Sequence, residues 1–286
     1  MIQDYLTECS KKIYSNFKKK ISSKSKISQA MLYTLLAPSK CIRGSLVFAS
    51  ASLLSHLKEP SIINIASAIE ALHSYSLIHD DLPSMDNDDI RRGISSNHIM
   101  HGEATAILAG DALHSFAFNI ISEDEHISSD QKVEIIRLLT DACGFDGMIL
   151  GQQMDLDAEK NETDDVTKIH KLKTAKLIEA SIVSPHTVGP LRNTLEPIGE
   201  SIGLAFQIMD DVLEVTKTSE ELGKKNNSDK KNSKLTYVKK FGLDKSVQDA
   251  SNLINDAIKS INKIDIENSK KENLKGISTY ILERNK

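Results

Sequence analysis

The sequence of 286 residues is poor in the residue types that mark several common classes of protein. It has no tryptophan, and only 5% of its residues are aromatic. Its three cysteines, Cys9, Cys41 and Cys143, are far apart in the sequence and do not have the pairwise spacing of metal ligands. This pattern argues against a disulfide framework or a zinc site and favours a reducing compartment, so we expect a cytoplasmic protein. There is no glycine-rich strand-turn-helix pattern of the kind that marks nucleotide-binding folds.

The sequence also lacks a long hydrophobic run and a strong charge of one sign. No apolar run reaches the roughly 20 residues that a transmembrane helix needs, so we expect no membrane span. The net charge is −4, which gives no reason to expect a nucleic-acid partner. Residues 11–29 are basic, serine-rich and free of acids, which superficially resembles a transit peptide. A solvated face of the first helix explains the same composition.

Helical periodicity dominates what the sequence does contain. Ile62, Ile65, Ile69, Leu72 and Tyr75 recur at spacings of three and four, and residues 198–212 show the same pattern. The polar breaks between such segments are too short to be domain linkers. The pattern therefore predicts an all-α bundle formed by a single domain, residues 1–286.

Two clusters of carboxylates each end an apolar, helix-like segment. Their members are Asp80, Asp81 and Asp86 in the first cluster, and Asp210, Asp211 and Glu214 in the second. Placing so much like charge together is costly unless a cation binds there. Magnesium takes hard oxygen ligands and completes its shell with water and phosphate oxygens. The clusters therefore predict a magnesium site that binds a phosphorylated ligand.

Residue spacing also predicts the geometry of these clusters. Asp210 and Glu214 are four residues apart and share one helix face with Asp211 beside them, so we expect three oxygen donors to converge. Asp86 is six residues after Asp80, which is the wrong face of a continuous helix. Pro83 interrupts the helix between them, and we expect the chain to loop so that Asp86 returns to the cluster.

The motifs together resemble the trans-isoprenyl diphosphate synthases, most closely the short-chain bacterial farnesyl diphosphate synthases. The segments that carry the resemblance are residues 73–93, 101–113, 151–156, 171–181, 203–211, 221–237 and 280–286. They occur in the order and spacing of the family, from about residue 30 to the end. The resemblance implies a polyprenyl synthetase domain, a bundle of roughly ten or more helices around a central active-site cavity, and a homodimer.

The implied reaction is a magnesium-dependent, head-to-tail condensation of isopentenyl diphosphate with dimethylallyl or geranyl diphosphate. Its products are (2E,6E)-farnesyl diphosphate and pyrophosphate. Three magnesium ions, which manganese could replace, are implied to bridge the six acids to the allylic diphosphate. The same resemblance implies that the allylic diphosphate is held by Arg91, Lys173 and Lys224, with Lys234 closing over it. Isopentenyl diphosphate is implied to be held by Lys40, Arg43, His73 and Arg92.

Four further positions receive roles from the resemblance. Thr174 and Gln207 carry oxygen dipoles without full charge, so with Lys173 they form the implied catalytic set and face the carbocation. Tyr75 and Ser76 lie five and four residues before the first acid of the cluster. There they are implied to form the floor that limits the length of the product. His79 is expected to be structural, and Asp155 is expected to be a further helix-borne salt-bridge partner outside the core site.

The sequence departs from the bacterial pattern at three positions. Cys41 replaces a basic residue, Gly44 replaces the usual proline, and Glu214 replaces the third aspartate of the second cluster. These departures affect the expected substrate affinity more than the class of reaction. Three alternatives to a farnesyl product stay open: a geranylgeranyl diphosphate synthase, a terpene cyclase and a non-catalytic partner subunit. The lack of tryptophan counts against the cyclase, and the intact acid clusters count against the non-catalytic subunit.

Overall fold

The structure, a computed structural model, describes residues 2–158, 165–216 and 235–284. These residues form more than ten α-helices, as the periodicity predicts. In chain order they are α1 Ile2–Lys20, α2 Lys26–Leu35, α3 Ile42–Leu54, α4 Glu59–Asp80, α5 Asn97–His101, α6 Glu103–Ser122, α7 Ser129–Cys143, α8 Met148–Ala158, α9 Val166–His170, α10 Lys176–Val183, α11 Arg192–Thr216, α12 Tyr237–Phe241, α13 Leu243–Lys263 and α14 Asn268–Glu283.

Short irregular elements complete the described chain. A two-stranded antiparallel ribbon, β1 Ile90–Arg91 and β2 Ile94–Ser95, follows the first acid cluster. One turn of π-helix, Lys171–Ala175, joins α9 to α10, and a 3-10 turn, Ser184–His186, follows α10. The all-α class is therefore confirmed, while the single domain over residues 1–286 stays a prediction.

Two clusters of buried apolar side chains hold the bundle together. The first includes residues of α1, α2, α4, α6 and α7 and contains Ile65 and Leu72 of α4. The second includes residues of α3, α10, α11, α13 and α14 and contains Ile202 and Ile208 of α11. The first acid cluster lies at the end of α4 and the second lies in the last two turns of α11, so this packing brings two helices from different cores to a common site.

Within the described residues, helix α6 is the one segment that bears on the expectation of no membrane span. By length and composition alone, α6 could cross a membrane. An 18-residue window of the helix has a mean hydropathy of 1.3, and 44% of that window is buried. The helix packs along α4, and Ala106, Leu113 and Ala117 are fully buried there. The buried core helix of a bundle has the same composition, so this observation is weak support for a membrane span.

A close contact between helices fixes the chain near the π-helical turn. Gly151 of α8 lies against the backbone of Lys173, so closely that a Cβ at position 151 would overlap it. The contact places the end of α8 beside the side chains of the turn. A single π-helical turn within a helical segment often marks a functional site, because it changes the direction of the side chains that follow.

Candidate active site

Two adjoining cavities open between α4, α8, the π-helical turn and α11. The first has a volume of about 310 Å³ and is lined largely by acidic and basic side chains. The second has a volume of about 580 Å³ and includes many apolar side chains, among them Leu77, Met148, Leu156 and Phe206. Both are lined by Asp80, Lys173, Gln207 and Asp210. A charged compartment and a largely apolar compartment therefore meet at the acid clusters.

Acids from both clusters line the first cavity, as the sequence predicts. They are Asp80, Asp86, Asp210, Asp211 and Glu214. The loop after α4 returns Asp86 to the cavity, and its backbone N–H donates a hydrogen bond to the carbonyl of Asp80 over 2.9 Å. The expectation that Pro83 lets Asp86 return is confirmed.

Asp210, Asp211 and Glu214 line one cavity, as their spacing predicts, and their convergence on a metal ion stays a prediction. Across residues 2–158, 165–216 and 235–284, no three acidic, histidine or cysteine side chains lie close enough to hold a metal ion by themselves. The carboxylate of Asp211 is held by its own partners: it accepts from the backbone N–H of Tyr237 over 2.6 Å and from Gln207 Nε2 over 3.0 Å. A helix-face argument could not foresee this, because Tyr237 is remote in sequence.

His170 completes the surroundings of Asp211. Its Nε2 lies 3.3 Å from Asp211 Oδ2 in a pair that is almost fully buried. Burial raises the pKa of Asp211 to about 7, and burial lowers the pKa of His170 to about 4. Both changes favour the neutral forms. The sequence analysis did not assign His170 to the site. Its position directly before the segment 171–181 is the sequence feature that could have identified it.

Asp81 has different surroundings from the other acids of its cluster. It is 2% exposed and forms an ion pair with Arg91, whose Nε donates to Asp81 Oδ1 over 2.9 Å. Asp81 does not line the first cavity, whereas Arg91 does. Burial opposes the charge of Arg91, but the hydrogen bond that it donates to Asp81 and the charge of that carboxylate give a net rise in the pKa of Arg91. This arrangement does not support Asp81 as a direct metal ligand, and it makes Asp81 the partner that orients Arg91.

Asp210 is paired with a residue that the sequence analysis did not assign. Arg284 Nη1 lies 3.0 Å from Asp210 Oδ1, and its guanidinium covers the ring of Phe206 at 4.1 Å. Burial raises the pKa of Asp210, while Arg284 and Arg43 oppose the rise. The signal was present in the segment 280–286, which resembles the end of family members and contains Arg284.

The predicted catalytic set lies where the two cavities meet. Lys173 lines both cavities, and its Nζ donates to Asp155 Oδ2 over 2.6 Å. Asp155 is therefore a salt-bridge partner, as expected, but it lines the first cavity, which corrects its expected place outside the core site. Thr174 Oγ1 donates to Gln207 Oε1 over 2.7 Å. This hydrogen bond joins the π-helical turn to α11 and orients both side chains.

Of the four residues predicted to bind isopentenyl diphosphate, Arg43, His73 and Arg92 lie together, whereas Lys40 has another partner. Arg43 Nη1 lies 3.2 Å from His73 Nε2, and Arg92 Nη2 lies 3.5 Å from the same nitrogen. Burial, then the charges of Arg43 and Arg92, lower the pKa of His73 well below its usual value. A neutral imidazole can accept from both guanidiniums. Lys40 instead donates to the hydroxyl of Tyr280 and lies over its ring.

Tyr75 and Ser76 line the second cavity, as the predicted floor requires. The ring of Tyr75 is backed by the ring of His114, with centroids 5.0 Å apart, and His114 contacts Phe118 at 5.1 Å. His79 also lines this cavity, and its ring packs against Gly110. These contacts support Tyr75 as a wall with an aromatic layer behind it.

Gln152 is a third residue, after His170 and Arg284, that the sequence analysis did not assign. It lines the second cavity, and both polar atoms of its side chain are buried without a hydrogen-bond partner. The segment GQQMDL, residues 151–156, was the available signal. Lys224 and Lys234, predicted to bind and cover the allylic diphosphate, lie outside the described residues.

Comparison with known proteins decides the family. The polyprenyl synthetase family model matches residues 24–275. The chain is 38% identical to the farnesyl diphosphate synthase of Haemophilus influenzae over 99% of this chain and 97% of that protein. The chain belongs to the polyprenyl synthetase family. Another member, geranylgeranyl pyrophosphate synthase 7 of Arabidopsis thaliana, is 41% identical over 91% of this chain and 76% of that protein.

A solved structure has the same fold as this chain. It is a geranyltransferase from Helicobacter pylori complexed with magnesium and isoprenyl diphosphate, with a TM-score of 0.84 and 30% identity over 99% of this chain and 98% of that one. In the present chain, hard carboxylate oxygens line the first cavity beside Lys173 and Arg91. Oxygen donors beside cationic groups fit magnesium together with phosphate, because the ion takes the remainder of its ligands from phosphate and water.

Proposed function

We propose that the chain condenses isopentenyl diphosphate with dimethylallyl and then geranyl diphosphate, head to tail, to form (2E,6E)-farnesyl diphosphate and pyrophosphate. The observation that carries this proposal is the shared wall of the two cavities. Asp80, Asp210 and Lys173 face both the charged compartment and the largely apolar one. A substrate with a diphosphate head and a hydrocarbon tail fits such a pair of compartments.

The first cavity is proposed to hold the diphosphate of the allylic substrate. Bound magnesium would neutralise this leaving group, so that the carbon–oxygen bond can ionise. The residues proposed to hold the metal are Asp80, Asp86, Asp210, Asp211 and Glu214. Lys173 and Arg91 would bind phosphate oxygens directly, and Asp155 and Asp81 keep these two cations in place.

At the boundary of the cavities, the protein faces the allylic carbon with dipoles. The hydrogen bond between Thr174 and Gln207 directs their oxygens without placing a carboxylate beside the cation. An uncharged oxygen stabilises developing positive charge and is a poor trap for it. The apolar wall of the second cavity keeps water from the reacting carbon.

Isopentenyl diphosphate is proposed to bind at Arg43, with His73 and Arg92 beside it. Arg43 is oriented from two sides, because His73 accepts from it and the ring of Phe206 lies 5.4 Å from its guanidinium. A planar guanidinium can grip two oxygens of one phosphate. The proton lost at the end of the reaction is proposed to leave with the pyrophosphate.

Several finer features belong to the same proposal. We propose three magnesium ions, replaceable by manganese, in a single cytoplasmic domain that covers residues 1–286. We also propose a homodimer. Ile107 and Leu108 on α6, and Ile99 and Met100 on α5, are each more than two fifths exposed, and a contiguous exposed apolar patch often marks a protein interface.

One incubation tests the proposed function against its alternatives. The protein is supplied with dimethylallyl and isopentenyl diphosphates and magnesium, and the products are sized after dephosphorylation. A main product of fifteen carbons supports the proposal, and one of twenty carbons supports a geranylgeranyl synthase. Cyclic hydrocarbons in a parallel incubation with farnesyl diphosphate alone would identify a cyclase. If the isolated chain forms no condensation product, the non-catalytic subunit is the alternative that remains.

A further inference from the structure

The first turn of α3 carries Arg43 and lacks a normal N-terminal cap. Residue Cys41, at the cap position, has a left-handed backbone with φ of 43° and makes no side-chain cap hydrogen bond. The first N–H groups of a helix have no partner within the helix and need acceptors from outside it. The N–H of Gly44 finds one in Glu70 Oε1, a side chain of α4, over 2.8 Å.

Glu70 is an unusual residue for its location. It is 4% exposed and lies one helical turn before His73 on α4. A carboxylate buried in this way is costly unless it is hydrogen-bonded or paired with charge. Its compensation comes from the Gly44 N–H and from the nearby charges of Arg92 and Arg43. A buried acid therefore meets the helix turn that presents Arg43 to the second cavity.

We propose that Glu70 is a positioning residue that caps α3 at Gly44 and thereby fixes Arg43 in its place for isopentenyl diphosphate. This inference rests on the proposed function, because it assigns a partner to a residue of that site. The cap acts through the backbone: it restrains the residue directly after Arg43. Glu70 of α4 then restrains the backbone next to Arg43, and His73 of α4 contacts the guanidinium of Arg43.

The identity of residue 44 gives the cap its importance in this chain. Glycine leaves the backbone free to take many conformations. Proline at this position would fix φ and remove the N–H, as the first turn of a helix tolerates. Because Gly44 has an N–H and no restraint of its own, the hydrogen bond from Gly44 to Glu70 supplies the restraint.

The first experiment compares two variants of Glu70 in the magnesium-loaded enzyme. Glu70→Met removes the acceptor, and we expect the KM for isopentenyl diphosphate to rise about tenfold, with the KM for geranyl diphosphate within about twofold of the parent value. Glu70→Gln keeps an oxygen that can accept from Gly44, and we expect both KM values within about threefold of the parent values. Equal defects in the two variants would overturn the cap as the route of the effect.

A double-mutant cycle tests the hydrogen bond directly. Gly44→Pro removes the N–H, and it is combined with Ile13→Val because a Cβ at position 44 would lie 2.5 Å from Ile13 Cδ1. In this background Glu70 has no donor at position 44, so we expect Glu70→Met to change the KM for isopentenyl diphosphate by less than about threefold. An undiminished tenfold effect in that background would refute the proposal.

Asp124 provides a matched control. It is a buried acid that accepts from Ser61, Asn64 and the backbone N–H of His126, away from both cavities. Asp124→Met should lower the melting temperature while leaving both KM values unchanged. If the parent enzyme is active and Glu70→Met keeps the parent KM for isopentenyl diphosphate, the inference about Glu70 is wrong and the proposed function is not affected. A parent chain that makes no product defeats the proposed function instead.

Discussion

Arg284 Nη1 lies 3.0 Å from Asp210 Oδ1, which ties the end of α14 to the second acid cluster. The same guanidinium covers Phe206 and donates to its carbonyl over 3.2 Å. Asp210 is therefore compensated by a cation of the protein itself. The side chains of Arg284 and Asp210 are 14% and 35% exposed, so solvent screens part of the attraction between them.

The first prediction concerns the metal. Asp210→Asn should abolish turnover because it removes an anionic ligand, while the amide can still accept from Arg284. Asp80→Asn should have the same effect from the opposite side of the cavity. Turnover is measured over a range of magnesium concentrations, and circular dichroism checks the fold. Comparable activity of the parent in EDTA and in magnesium would contradict the metal site.

The stability of two Asp210 variants tests the hydrogen bond to Arg284. Both variants remove the ion pair, but Asp210→Asn keeps an oxygen that can accept from Arg284 and Asp210→Ala does not, so we expect the lower melting temperature for Asp210→Ala. Because the side chain of Asp210 is 35% exposed, solvent screening limits the difference to about 1 kcal/mol or less. Equal melting temperatures would show that an acceptor at position 210 contributes nothing to the metal-free fold.

The second prediction concerns the two substrates. Arg43→Met should raise the KM for isopentenyl diphosphate much more than that for the allylic diphosphate, because its guanidinium lies beside His73 in the second cavity. The loss of one charge-assisted contact should cost about 1.5 to 3 kcal/mol. Arg192→Met is the control, since Arg192 pairs with Glu134 and Glu196 outside both cavities. Equal effects on both KM values would show that Cys41 and Gly44 mark a remodelled site.

Spacing in the sequence predicted the parts of the site that depend on local geometry. Pro83 predicted the return of Asp86, and the spacing of Asp210 and Glu214 placed both on the wall of the first cavity. The partners of Asp81, Asp210 and Asp211 could not be predicted in this way. Each depends on a group that tertiary packing brings from another segment: Arg91, Arg284 and the N–H of Tyr237, respectively.

The third prediction concerns acid stability. Burial lowers the pKa of His186, whose Nε2 lies 2.9 Å from the carbonyl of Ser50. Below the usual histidine pKa of 6.5, His186 binds a proton in the unfolded chain but not in the folded chain. The folded state therefore loses stability relative to the unfolded state as the pH falls below 6.5. The loss is at most about 1.4 kcal/mol per pH unit for one group. His186→Gln should therefore lose less stability than the parent between neutral and acidic pH, as measured by urea unfolding, and an identical loss would contradict this role.

The last prediction concerns the length of the product. Tyr75 lines the second cavity five residues before Asp80, which places it roughly 7.5 Å deeper along α4 at 1.5 Å per residue. Tyr75→Ala should open the cavity and shift the product from fifteen carbons toward twenty. His114 and Phe118 lie behind Tyr75, so we expect them to limit further growth. Ser76→Ala is the control, because it lines the same cavity but removes only one oxygen atom. The products of each variant are sized by chromatography after dephosphorylation, and an unchanged fifteen-carbon product from Tyr75→Ala would show that the tyrosine is not the floor.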